Sequence, residues 1–314
     1  MDLSIIIVSW NTKEFLLPCV RSVFENEQGI SREVIVVDNG SQDGSGNEVK
    51  KTFPFIHLVE NQKNMGFAKA VNQGLQKASG RYILLLNPDT QMKGGAIERF
   101  VSFMDSHSDT GVAGAQLLNS DGSKQNSIAN FPSLATELLN KRLLRWLFPK
   151  RFPGKEKNYP EPVEVNSVIG ACMMVRREAL DQVGSLDEDY FLFLEETDWC
   201  YRMKKAGWKI YHVPQTEVIH FQGKSAETDK KRSRVEYFRS RYHFFKKNRG
   251  SGLCFILVVG LMVRLLVESI FMTFACLFTV GMVKRWRRKL SIYAYLLWWH
   301  LRFCPEGMGL KPTE

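Results

Sequence analysis

Apolar positions in the first hundred residues gather into short runs separated by longer amphipathic stretches. Residues 3–8, 33–37, 56–59 and Tyr82–Leu86 have strand length, and 12–27, 66–78 and Ala96–Ser106 have helical spacing. Strands alternating with helices of this size predict βαβ units and a parallel sheet covered on both faces. Such sheets place ligands at the carboxyl ends of their strands. Three of those ends turn polar in the same way, as VSWN (8–11), VVDNGSQDGS (36–45) and LNPDT (86–90). The last is the sharpest change, because a run without a polar face delivers Asp89 at its tip. A buried carboxylate is expensive to keep ionised, so Asp89 needs water, a partner or a cation.

A second block, 168–221, combines strand-like VIGACMMVR and WKIYHV with the acid-rich DEDYFLFLEETDW. Between the blocks, 136–162 begins as an amphipathic basic segment and ends as a Pro-rich loop. It reads either as a surface insertion or as a lip that touches membrane. Beyond position 228 the pattern changes again. Nine Lys and Arg interleave with five aromatics over 229–250, then 253–283 is apolar except for Arg264 and Glu268, then comes KRWRRK at 284–289.

Charge sharpens that boundary. Residues 1–228 hold 26 Lys and Arg against 28 Asp and Glu, net −2, whereas 229–314 hold 17 against 5, net +12. A near-neutral body with a basic appendage predicts contact with an anionic surface. Basic aromatic flanks around an apolar run suit lipid headgroups better than nucleic acid, so membrane is the expected partner and nucleic acid is not. A helix over 253–283 would be about 45 Å long, more than the roughly 30 Å hydrocarbon core. Arg264 and Glu268 stand i, i+4 and are able to pair. Cations at both ends favour a re-entrant hairpin or in-plane helices over a single crossing.

The six cysteines lack any CxxC pair and read as reduced structural thiols. The start, MDLSIIIVSW, lacks the basic head and cleavage site of a signal peptide, so the expected location is the cytoplasmic face of the inner membrane. The expected organisation is a body over 1–228, a basic aromatic linker over 229–252 and membrane-associating helices over 253–314.

Seven stretches occur in an order that resembles family-2 glycosyltransferases: SIIIVSWNTKEFLLPCVRSV, EVIVVDNGSQDGS, NMGFAKAVNQGL, YILLLNPDT, VIGACMMVRREAL, FLFLEETDWCYRMKKAGWKIYHVP and VIHFQGKS. The branch they most resemble is bacterial and rhamnosyltransferase-like, and the resemblance covers residues 3 to about 250. It implies an α/β GT-A fold, Rossmann-like, binding a nucleotide-sugar with a divalent cation, Mg²⁺ or Mn²⁺.

The same likeness suggests roles residue by residue. Asp38 resembles the residue that bonds the base, with Ser9 and Asn11 lining the nucleoside. Asn64 and Gly66 stand where a helix N-terminus faces phosphate or sugar, and Asn87 belongs to the metal motif, which keeps one acid here, Asp89. Asn72 is either the family's second Asn or a helix-surface residue. His220 resembles the histidine completing the metal and diphosphate environment. A hydroxyl attacking an anomeric carbon needs a general base; alignment puts Glu196 there, with Asp198 as the competing acid. Gly170 and Ala171 resemble the stretch bordering the acceptor. The implied function is an inverting transfer, of rhamnose from dTDP-L-rhamnose by branch likeness, onto a lipid-linked oligosaccharide in cell-surface polysaccharide synthesis. Two alternatives stay open: a sugar-phosphate nucleotidyltransferase, which would need a Gly-rich basic loop that VSWNTKEF lacks, and a non-catalytic membrane-bound scaffold.

Overall fold

The computed structural model describes residues 1–25, 29–148, 159–221 and 229–311. In chain order the elements are β1 (Leu3–Ser9), α1 (Lys13–Phe24), β2 (Arg32–Asp38), α2 (Ser45–Thr52), β3 (His57–Glu60), α3 (Phe67–Leu75), β4 (Tyr82–Leu86), β5 (Thr90–Met92), α4 (Ala96–Ser106), β6 (Thr110–Leu118), β7 (Ile128–Ala129), α5 (Leu134–Leu138), α6 (Lys141–Leu147), β8 (Val163–Glu164), β9 (Ser167–Val168), β10 (Cys172–Arg176), α7 (Arg177–Val183), α8 (Glu195–Lys205), β11 (Lys209–His220), α9 (Lys230–Arg249), α10 (Ser251–Phe278) and α11 (Lys284–Leu301). They form two compact units. One is Met1–Phe131, Pro153–Tyr190 and Glu195–Ser225; the other is Pro132–Phe152, Phe191–Leu194 and Ala226–Glu314.

The first unit is built on a sheet ordered β3-β2-β1-β4-β10-β6-β11-β5, with β8 on the flank of β11. β1 to β4 are parallel, as the βαβ pattern predicts. The sheet is mixed overall, because β10 runs antiparallel between β4 and β6 and β5 runs antiparallel to β11. The central strands are buried on both faces, and alternate residues feed two separate cores. Leu3, Ile5, Ile7, Leu84 and Leu86 pack with α1 and α4 on one side. Ile6, Val8, Ile83 and Leu85 pack with α3, α7 and α8 on the other.

The second unit is helical. Positions 229–252, expected as a linker, are instead mostly the 20-residue helix α9, capped by Asp229, whose carboxylate accepts from the amides of Lys231 and Arg232 at 3.1 Å. The apolar run forms a single 28-residue helix, α10, and after a short turn α11 packs back on it and on α9. Arg264 and Glu268 pair at 2.8 Å, as their spacing predicts. Leu257, Leu261 and Leu265 form the inward face of α10. Gly260 lies so close to Leu138 that a Cβ would stand 2.8 Å from its methyls, which lets α5 sit against α10. Beneath α5, Glu137 and Arg241 make a buried ion pair at 2.8 Å. The end of the basic segment leaves Trp146, Leu147 and Phe148 exposed, while 149–158 lies outside the described residues. All six cysteines are free.

Candidate active site

The register places most of the expected site residues along one edge of the sheet. β1, β2 and β4 end together, with Ser9 opposite Asp38 and Ile7 opposite Leu86. β10 enters where β4 leaves, Cys172 opposite Leu86, and the Asn87 amide donates to the Ala171 carbonyl at 2.9 Å. β11 runs parallel to β6 and ends beside β5, with His220 opposite Thr90. The tips carrying Asp38, Asp89 and His220 and the start of β10 therefore share one side, where the polar strand ends were expected.

At the β1 and β2 tips the polar groups are tied to one another. The hydroxyls of Ser9 and Thr12 lie 2.8 Å apart, and both residues are buried. Asn11 adopts φ +52°, a left-handed conformation that Asn tolerates. Its side-chain oxygen accepts from the Gln42 amide at 2.7 Å, which locks the β1 loop to the β2 loop. Asp38, also buried, accepts from the Ser41 amide at 3.0 Å. Gly46, in the first turn of α2, leaves no room for a Cβ beside the second Asp38 oxygen.

Asn39, which reads as an ordinary turn residue in the sequence, is the hub of this region. Its amide nitrogen donates to Asn64 and to the Gly66 carbonyl, and its oxygen accepts from the Met65 amide and from Asn61, all within 3.2 Å. Asn64 in turn accepts from the Gly66 amide at 2.9 Å, where Gly66 caps α3 with φ +89°. The clustering of Asn39, Asn61 and Asn64 in sequence was the available signal. Asn72 is no surface residue: it is buried and joins α3 to the main chain of Leu186 and the side chain of Glu188.

Asp89 is 3% exposed, and its carboxylate lies 3.5 Å from Nε2 of His220. Among the described residues no Lys or Arg reaches it. A buried carboxylate facing only an imidazole is what an added cation would complete, so these two donors fit a divalent metal. The Gln125 side chain, unread in the sequence, sits 3.1 Å from the other His220 nitrogen. Phe221 closes the corner by donating its amide to the Asp89 carbonyl; 222–228 lies outside the described residues.

The acids of α8 separate clearly. Glu196 is partly exposed and borders Gly170, whose Cβ would stand 3.4 Å from the Glu196 Cβ and Cγ. Burial of its carboxyl raises its pKa. Glu195 is buried, and desolvation, followed by the neighbouring charge of Glu196, pushes it well above the usual range. Asp198, the competing candidate for the base, is fully buried and faces the interior. It accepts from Arg202 at 3.0 Å, and Arg202 also donates to the carbonyls of Val183 and Ser185, so this acid braces the loop after α7.

The Glycosyl transferase family 2 profile matches residues 4–184. The chain belongs to that family. This glycosyltransferase is 29% identical over 234 residues to N-acetylglucosaminyl-diphospho-decaprenol L-rhamnosyltransferase of Mycobacterium tuberculosis, covering 70% of this chain and 76% of that one. It is 25% identical over 193 residues to dTDP-rhamnosyl transferase RfbF of Shigella flexneri, covering 60% of each. Among solved structures it resembles mannosyltransferase PcManGT from Pyrobaculum calidifontis in complex with GDP-Man and Mn²⁺, with TM-score 0.57, 15% identity, and 96% and 86% of the two chains covered. It also resembles GalNAc-T7 with UDP, GalNAc and Mn²⁺, with TM-score 0.57 and 16% identity; the match takes 78% of this chain and about half (48%) of that one. The fold is thus GT-A, within the rhamnosyltransferase-like branch, and the nucleotidyltransferase and scaffold readings are set aside.

Proposed function

We propose that this glycosyltransferase moves rhamnose from dTDP-L-rhamnose, with inversion, onto a lipid-linked saccharide at the cytoplasmic face of the plasma membrane. The observation that carries the reading is the shared sheet edge that holds Asp38, the Asp89–His220 pair and the Gly170–Glu196 contact. The names of the Mycobacterium and Shigella relatives support the donor, and the first supports a polyprenyl diphosphate acceptor.

Asp38, with Ser9 and Asn11, would hold the nucleoside; Asn64, Gly66 and Asn87 would face the diphosphate and sugar. Asp89 and His220 would hold a divalent cation, which neutralises charge on the departing diphosphate. An imidazole nitrogen beside the carboxylate favours Mn²⁺ over Mg²⁺. Glu196 takes the proton of the acceptor hydroxyl as that oxygen attacks the anomeric carbon. The carbon–oxygen bond on the opposite face breaks, its electron pair leaves on the nucleoside diphosphate, and the configuration inverts. A raised pKa makes Glu196 a stronger base than an exposed carboxylate.

The apolar helix supports membrane association, and its packing supports an in-plane placement. α10 is, among the described residues, the one helix long and apolar enough to cross a bilayer. Yet the strongly basic α9 packs along it: the Cys254 thiol reaches the Tyr242 carbonyl, and Arg264 and Arg241 meet on Glu137. A crossing would draw those α9 charges toward hydrocarbon. The test is a donor panel with Mn²⁺ and product linkage analysis. Turnover of dTDP-L-rhamnose, lost on chelation and in Asp89→Ala, is expected; turnover that survives both removes the metal reading, and a different donor removes the rhamnose assignment.

A further inference from the structure

Gln125 stands on a tight hairpin that no part of the proposed chemistry uses. Residues 118–124 turn back through Asp121-Gly122, with Gly122 at φ +81° and the Asn119 amide donating to the Ser123 carbonyl at 2.8 Å. The turn delivers the buried Gln125 side chain beneath His220. Its amide nitrogen donates to the His220 carbonyl at 2.6 Å and to the Asn119 side-chain oxygen at 2.8 Å. A main-chain carbonyl only accepts, so the amide nitrogen of Gln125 must face it and the amide oxygen must face the imidazole. That oxygen also only accepts. Nδ1 of His220, 3.1 Å away, therefore carries a proton, and the ring turns Nε2 toward Asp89.

The polarity continues outward. The Ser123 hydroxyl spends its hydrogen on Asp121 at 2.6 Å, so it accepts from the Asn119 amide at 2.8 Å, which leaves the Asn119 oxygen for Gln125. One hydrogen-bond path runs outward from the His220 ring through Gln125, Asn119 and Ser123 and ends on the Asp121 carboxylate. We infer that Gln125 is a positioning residue: through this ordered hydrogen-bond chain it holds His220 in the Nδ1–H tautomer and presents the Nε2 lone pair, beside Asp89, to a divalent cation. Partners of this kind fix the tautomer and ring orientation of metal-binding histidines, and losing them lowers metal affinity roughly 10- to 100-fold.

The inference rests on Asp89 and His220 being metal ligands, and the test separates the two. Full-length protein labelled with ¹⁵N-histidine reports the His220 tautomer by NMR without metal, and EPR of free Mn²⁺ in the presence of dTDP reports affinity. Gln125→Leu and Gln125→Met remove the acceptor. Gln125→Glu keeps an oxygen for Nδ1–H but gives up the amide donor to the His220 carbonyl and the Asn119 oxygen. Wild type and Gln125→Glu should show protonated Nδ1; the Leu and Met variants should mix tautomers and bind Mn²⁺ about 10- to 100-fold more weakly than wild type. A bare Nδ1 in wild type or in Gln125→Glu, or unchanged affinity in both acceptor-free variants, would overturn the positioning role. Wild-type Mn²⁺ binding by Asp89→Ala would instead overturn the ligand reading, and with it the purpose assigned to Gln125, whichever tautomer NMR finds.

Discussion

Glu196 and Asp198 are two residues apart in one helix, yet their surroundings give them different work. Glu196 borders Gly170 with part of its surface open, while Asp198 is sealed against Arg202. Glu196→Gln should lower kcat by about 10²- to 10⁴-fold while donor affinity stays unchanged. Because a base acts ionised and burial raises this one, wild-type activity should fall with acidification at an apparent pKa above the ordinary 4.5. A pH–rate profile that stays flat down to 4.5 would contradict the assignment. His212 makes a separate pH prediction. Burial lowers its pKa from 6.5 to about 4, so the unfolded chain takes up the proton first. The stability it contributes is therefore present above pH 6.5 and lost as pH falls from 6.5 toward 4. The unfolding free energy from denaturant titration should drop over that window by up to about 3 kcal/mol, and His212→Gln should flatten the drop.

Elements matter here through where they stop. β2 ends at Asp38, and α2 begins so close that Gly46 packs on the carboxylate. Gly46→Ala should displace Asp38 and weaken nucleotide binding about tenfold, roughly 1.4 kcal/mol, with little change in melting; isothermal titration with dTDP checks it. α8 shows the opposite case. Arg202 ties Asp198 to the carbonyls of Val183 and Ser185, so Arg202→Ala removes the guanidinium that faces this buried acid and should destabilise by about 3 kcal/mol in denaturant unfolding. Nucleotide affinity should hold wherever that variant remains folded. Just before α8, Phe193 and Leu194 adopt φ +74° and +67°, a conformation uncommon for non-glycine residues. The Leu192 carbonyl accepts from Ser240, and Phe193 packs on Tyr237, which hold this strained segment on α9.

For the whole molecule, the charge division noted in the sequence coincides with an apolar surface. Along α10, Ile256, Val259, Val263, Leu266, Ile270, Phe274 and Leu277 are exposed at helical spacing, a stripe without a charge. Lys284 to Lys289 follow, where cations would meet anionic headgroups at about 1 kcal/mol each. Val263→Glu with Ile270→Glu should reduce co-sedimentation with vesicles containing anionic lipid. Replacing the Lys284–Lys289 cations by Gln should reduce it further and remove its salt dependence. Binding that survives both changes would sink the in-plane reading.

Periodicity alone determined much of the first unit. Continuous apolar runs are what strands buried on both faces require, so β4 and α4 fall where the pattern puts them, and Asn and Asp mark the strand ends. Local order also determined the Arg264–Glu268 pair, because i, i+4 neighbours meet within any helix. Side-chain partnership was a tertiary decision. Nothing in EETDW distinguishes the acid that meets Arg202 from the one that meets Gly170, since both partners depend on how α8 lies. Asn39 and Gln125 gain their roles only when loops 22 to 95 residues away in sequence close on them. Short-range patterning sets which residues can be strands and tips. Which tip group becomes buried, paired or left open to a ligand follows from long-range register, which no local spacing encodes.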